Sequence, residues 1–192
     1  MLKQLFILLY KLIAEPTSTW RSLAERYDEG NNESFYRNYM FPIIGIIALM
    51  AFVGTLLALE RYDLSMALKS VVKQVFVYGG SFYLSAFVTS DFLFPQAGLP
   101  KNRPLAERFI GYAFALSFVI AMFTALMPMF TMFSYLIILY CFYLIWVGSS
   151  YFLHIKEEFI VKFTVLSGLL IVFSPLIINF LIELCMPGMK IK

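Results

Sequence analysis

From Phe109 to Leu153 the chain runs for about 45 residues without an Asp, Glu, Lys, Arg or His. A helix that crosses a bilayer needs about 20 predominantly apolar residues. The run is long enough for two crossings and too long for one. Pro128 stands near its middle, and proline lacks an N–H and clashes with the preceding helical turn. Backbone polar groups cannot be left unpaired in contact with lipid. The run therefore predicts two spans, 109–127 and 130–153, joined by a Met127-Pro128-Met129 turn near an interface. Composition agrees. Of 192 residues, 61% are hydrophobic and 14% charged, with mean hydropathy +0.80. A soluble domain carries about 45–50% apolar and about 25% charged residues. A soluble fold of this length has too much surface to hide such a content.

Three further stretches satisfy the length requirement, at 39–59, 71–94 and 163–185. Lys73 and Asp91 fall near the ends of the second, where long side chains reach water. The expected fold is an all-α membrane protein, a bundle of five transmembrane helices over 39–185. A cytoplasmic interfacial segment (1–38) precedes it and a short outside tail (186–192) follows. Lys and Arg set the orientation. Ten lie in the N-terminal segment and in the loops after the second and fourth spans, against five on the opposite side. The N-terminus is predicted to be cytoplasmic and the C-terminus outside.

In the N-terminal segment Leu2, Leu5, Phe6, Leu9, Leu12 and Ile13 recur at helical spacing, with Lys3, Gln4 and Lys11 on the other side. This predicts an amphipathic helix, either lying among headgroups or packed under the bundle. Lys11 and Glu15-Pro16 interrupt the apolar run, so it does not read as a cleavable signal. Pro16 ends the helix. Thr17 or Ser18 is expected to cap a second one through Trp20 to about Tyr27, followed by a polar loop from Asp28 to Ser34.

Candidate chemistry is sparse. No phosphate-binding loop, dinucleotide fingerprint, zinc-hydrolase helix or nucleophile elbow occurs, and no basic cluster is dense enough for nucleic acid. Two cysteines and one histidine fall short of a structural zinc set. No cofactor, metal or enzymatic activity is expected. Met122, Met127, Met129 and Met132, and Cys185, Met186 and Met189, offer soft sulfur that suits Cu(I), or ordinary apolar filling. Asp91 is the most intrusive acid, read as a functional intramembrane group or as an interfacial, salt-bridged one. Ser81, Ser85 and Thr89 form a hydroxyl stripe, which either lines a permeation path or packs helices. Asn179 and Glu183, four apart, share a helical face and read as a cation or proton site or as an interhelical hydrogen bond. Gly111, Ala113, Ser117, Ala121, Ala125 and Gly148 are small residues suited to close packing, and the Ala113–Ala125 stripe is expected to meet the hydroxyl stripe. Glu157 and Glu158 are placed to reach Arg103 or Arg108 on the neighbouring loop.

The run Phe109-Ile110-Gly111-Tyr112, then Pro128, then Tyr140 to Gly148 (YCFYLIWVG), then Lys156-Glu157-Glu158, resembles the second half of the YIP (Ypt-interacting protein) domain family. The Pro16…Trp20 spacing ahead of the first span is similar to that family's opening motif. The resemblance covers about residues 10–185. It implies a five-span domain with a cytosolic N-terminus and moves the functional surface to the cytoplasmic side: Pro16, Trp20, Arg103, Arg108, Glu157 and Glu158. Eukaryotic relatives, which carry a long cytosolic N-terminal region, are implicated in Rab/Ypt-linked vesicle traffic. This chain looks more like the short prokaryotic members, which implies a bacterial inner or plasma membrane. The resemblance defines no catalytic residue. The expected function is that of a non-enzymatic membrane protein acting through contacts with the lipid bilayer, a protein partner or its own copies. The alternative is a small transporter or channel whose path uses Asp91, Ser81, Ser85, Thr89 and Asn179.

Overall fold

The computed structural model describes residues 2–27, 32–58, 63–127, 130–131 and 137–186. Eight helices occur among them: α1 (Leu2–Ala14), α2 (Pro16–Glu25), α3 (Asn32–Ala58), α4 (Leu64–Gln96), α5 (Arg103–Ala113), α6 (Ala115–Leu126), α7 (Tyr140–Tyr151) and α8 (Glu157–Cys185). The described chain is all-α. Helices α3, α4 and α8 are each long and apolar enough to cross a membrane. The most apolar windows of these three helices are only 28%, 28% and 22% buried inside the protein. Leu57, Phe76, Phe173, Phe180 and Leu184 point outward from them. Exposed apolar faces of this extent are foreign to monomeric soluble proteins and natural in lipid.

The third expected span is bent, and the fourth lies partly outside the described residues. Segment 109–127 is two helices, α5 and α6, bent by 46° at Phe114, a pair that suits either a broken span or a re-entrant loop. No proline or glycine stands at the bend. Two side chains from elsewhere take up carbonyls beside it: the Tyr39 hydroxyl donates to Gly111 O at 3.1 Å and the Cys141 thiol to Ala113 O at 3.7 Å. A side chain that engages the i→i−4 ladder is a recognised cause of a kink. Of segment 130–153, residues 130–131 and 137–153 are described, and they include the 12-residue α7. Pro128, Met129 and 132–136 lie outside the described residues. Three or four membrane spans are therefore what length and hydropathy show.

The long helices also begin earlier than the spans expected from hydropathy. Helix α3 starts at Asn32 and carries a π-helical turn at Tyr36–Met40. Asp63 caps α4, accepting from the N–H groups of Ser65 and Met66 at 2.9 and 3.2 Å. That helix passes through a second π-turn, Thr89–Leu93, just ahead of Pro95. It then closes on Gly98, whose φ of +75° suits glycine. There Leu99 N–H bonds Phe94 O at 2.9 Å and Gly98 N–H bonds Pro95 O at 3.3 Å, the pairing of a Schellman cap.

Helices α1 and α2 are built into the bundle. Leu5, Leu9 and Leu12 of α1 are buried in its core while Lys3 and Lys11 stay exposed. The expected cap at Thr17 or Ser18 is replaced by a start at Pro16, with Glu15 as N-cap. Proline at the first helical position needs no donor. Ser18 and Thr19 instead turn their hydroxyls back onto the Glu15 carbonyl, and Thr19 also meets that of Lys11. These bonds fold α2 against α1. Helix α2 packs on α7 and α1 on α6, while α3 packs on α4 and α6, and α4 on α8.

Candidate functional site

Polar residues gather where α1, α3 and α5 begin. Asn102 caps α5 by accepting from Leu105 N–H at 2.9 Å, and Pro104 fills the first turn. This aims Arg103, Glu107 and Arg108 at the start of α3. Arg103 meets Glu107 at 3.2 Å. Asn32 donates to the same carboxylate at 2.8 Å and accepts from Arg108 at 3.4 Å. The Arg108 guanidinium also lies 4.9 Å over the Tyr27 ring, a cation–π geometry. Glu107 and Arg108 are both buried, so their mutual satisfaction through Asn32 matters more than a surface pair would.

Beside this clasp is a cavity of about 460 Å³. Its polar walls are Gln4, Arg26, Ser34, Asn38, Arg108 and Tyr112, and its apolar walls Leu5, Leu8, Phe35 and Tyr39. No carboxylate lines it among the described residues. Behind it lies an aromatic cluster centred on Trp20, which is completely buried. Its ring stands 5.6 Å from Phe109, 6.1 Å from Tyr112 and 5.6 Å from Phe152. Gly148 makes room for it: a Cβ there would come within 2.8 Å of the indole. Gly111 likewise lies against Phe35.

The other expected site residues are dispersed. Asp91 sits in the second π-turn and pairs with Lys101 at 3.1 Å, both partly open to solvent. Ser81 donates to the Val77 carbonyl, and Ser85 bonds Ser174 of α8 at 3.0 Å. Ser85 of the hydroxyl stripe thus bonds α8, while α4 also packs on α5. The small-residue stripe packs on α3, where the Ala125 carbonyl lies so close to Gly54 that no Cβ fits. Ala113, Ser117 and Ala121 are buried along it. Thr89 is buried, and its hydroxyl has no partner among the described residues. Asn179 donates to Glu183 at 3.2 Å, and Glu183 pairs with Lys73 of α4 at 2.8 Å. The expected contact of Glu157 and Glu158 with Arg103 or Arg108 is not the one formed. Glu107, four residues along the same helix from Arg103, takes that place, and the two acids occupy the exposed first turn of α8.

No group of three or more His, Cys, Asp or Glu that suits a metal occurs among the described residues. Met122 is buried in the core and Met127 exposed, while Met129, Met132 and Met189 lie outside the described residues. Cys185 and Met186 are exposed at the end of α8.

Sequence reasoning named Arg108 but missed Gln4, Arg26, Ser34, Asn38 and Tyr112 as cavity walls. The one signal available was the count that placed Arg26 and Arg108 on the same side. Fold and site together define a helical protein with three to four candidate membrane spans and a polar cavity at one end. No family model, curated protein or solved structure matches the chain.

Proposed function

We propose that this is a non-enzymatic, five-span membrane protein of the YIP-like type, working through contacts at its arginine-bearing end. In this reading α5 and α6 form one broken span and 130–153 another. The N-terminus and the arginine end are cytoplasmic and the C-terminus is outside, as the Lys and Arg distribution favours. The observation that carries the reading is how the candidate path residues are used. Ser85 ties α4 to α8 through Ser174, and Lys73 does so through Glu183 and Asn179. Polar side chains committed to helix–helix bonds are glue for a bundle, and Asp91 lies apart from them in an exposed pair with Lys101.

The test has two arms on the full chain. In proteoliposomes, proton, sodium and potassium flux should equal that of protein-free vesicles. A flux that Asp91→Asn or Asn179→Leu abolishes overturns the reading in favour of a transporter. In cells, a photo-crosslinking residue at position 103 or 158 should give a discrete adduct that position 180 does not. Absence of any adduct at the arginine end also overturns it.

A further inference from the structure

Helix α1 separates two concave surfaces of opposite character. At its N-terminal end is the cavity whose polar walls are Gln4, Arg26, Ser34, Asn38, Arg108 and Tyr112. Along its other flank an apolar groove of about 390 Å³ runs between α1, α3 and α6, with Phe6, Tyr10, Met50 and Phe123 among its walls. The cavity falls in the size range of small-molecule sites. It presents two guanidinium groups from different parts of the chain, together with amides and hydroxyls. The nearby acid, Glu107, is held outside by Asn32 and Arg103. Planar guanidinium donors match the oxygens of a phosphate, which accepts paired hydrogen bonds from them.

Position decides the source of that phosphate. Arg108 is the last charged residue before the uncharged run that starts at Phe109, so the cavity stands where the polar boundary meets the hydrocarbon. The groove beside it is walled by helices that continue into the apolar part of the bundle. We infer that the arginine cavity and the groove along α1 bind one anionic phospholipid, its headgroup phosphate between Arg26 and Arg108 and an acyl chain against Phe6, Met50 and Phe123. The inference rests on the membrane reading above and names the ligand of the arginine end. Attraction of anionic lipid to basic residues at a leaflet surface favours the same occupant.

Native mass spectrometry of the full chain in mild detergent tests it, with phosphatidylglycerol, phosphatidylcholine and inorganic phosphate as probes. Phosphatidylglycerol should be retained about tenfold more tightly than phosphatidylcholine: both offer the same phosphate, but the choline cation of the second cancels its charge and is repelled by the two guanidinium groups. Arg26 is exposed, so Arg26→Gln should fold normally and lose most of that preference. Lys101→Gln, at the same end but outside the cavity, should keep it. Equal retention of the two lipids, or an Arg26→Gln protein indistinguishable from wild type, overturns the inference. Displacement of the lipid by inorganic phosphate overturns the lipid assignment in favour of a soluble anion. Alkaline extraction of the same membranes keeps the two levels apart. A protein that resists extraction yet shows no headgroup preference sinks only the inference, whereas one that is extracted sinks the membrane reading itself.

Discussion

Replacing Gly148 by alanine puts one methyl group against the centre of the aromatic cluster. The added Cβ would lie 2.8 Å from Cε2 and Cζ2 of Trp20 and 3.1 Å from Cε2 of Phe109. Both rings are completely buried, and Tyr112 and Phe152 hold Trp20 on its other sides. Neither ring can swing aside, so α7 must move away from α2. Overpacking of this kind costs about 1–3 kcal/mol, and with two rings approached at once we expect about 2 kcal/mol. Trp20→Leu should cost about 3 kcal/mol alone, in the range of large-to-small core changes. It also opens the space the new methyl needs. The double variant should therefore be less destabilised than the sum by about 1.5 kcal/mol, within the range seen for residues in contact. Unfolding in mild detergent followed by far-ultraviolet circular dichroism measures all four proteins. A Gly148→Ala protein within ~0.5 kcal/mol of wild type, or strict additivity, refutes the docking of α2. Either would instead suit a tryptophan resting at the membrane–water interface.

Other variants probe separate joints. Gly54→Ala should cost at least about 3 kcal/mol, because its Cβ would overlap the Ala125 carbonyl and the clash is with backbone. A near-neutral melting shift would count against the α3–α6 contact. Leu9→Ser, at a buried position, should lower stability by roughly 3 kcal/mol, whereas Phe6→Ser on the exposed flank should stay within about 0.5 kcal/mol. Equal effects would mean that α1 is not seated as described. Glu183→Gln should cost about 2 kcal/mol, between an exposed and a buried pair, and Lys73→Met should recover part of it. Asp91→Asn should shift stability by less than about 1 kcal/mol, since its Lys101 partner is largely exposed.

What was legible in the chain follows from the range of each signal. The apolar character of 109–153 could be read from the missing charges, and helices α3, α4 and α8 from their length. The bend at Phe114 could not, because the side chains that bond the carbonyls beside it, Tyr39 and Cys141, come from distant positions. The π-turns were hidden for a similar reason: one extra residue in a turn leaves the composition unchanged. Helical spacing revealed the hydroxyl stripe of α4, but the periodicity of one helix does not name its neighbour, and the partner is Ser174. The amphipathic pattern of α1 left its surroundings open, and Leu5, Leu9 and Leu12 settle them by being buried in the core. The arginine cavity is the furthest from sequence. Arg26 and Arg108 line one cavity because α2 folds back on α1 and Trp20 seats it over Gly148.

Five spans with the arginine end cytoplasmic, as proposed, put the two termini on opposite sides of the membrane. Lys3→Cys and Lys190→Cys, each in a Cys141→Ala, Cys185→Ser background, place one reporter near each terminus. A membrane-impermeant maleimide applied to intact cells should label position 190 and leave position 3 unlabelled until the membrane is opened. Labelling of both positions from the same side would mean an even number of spans and would contradict the account.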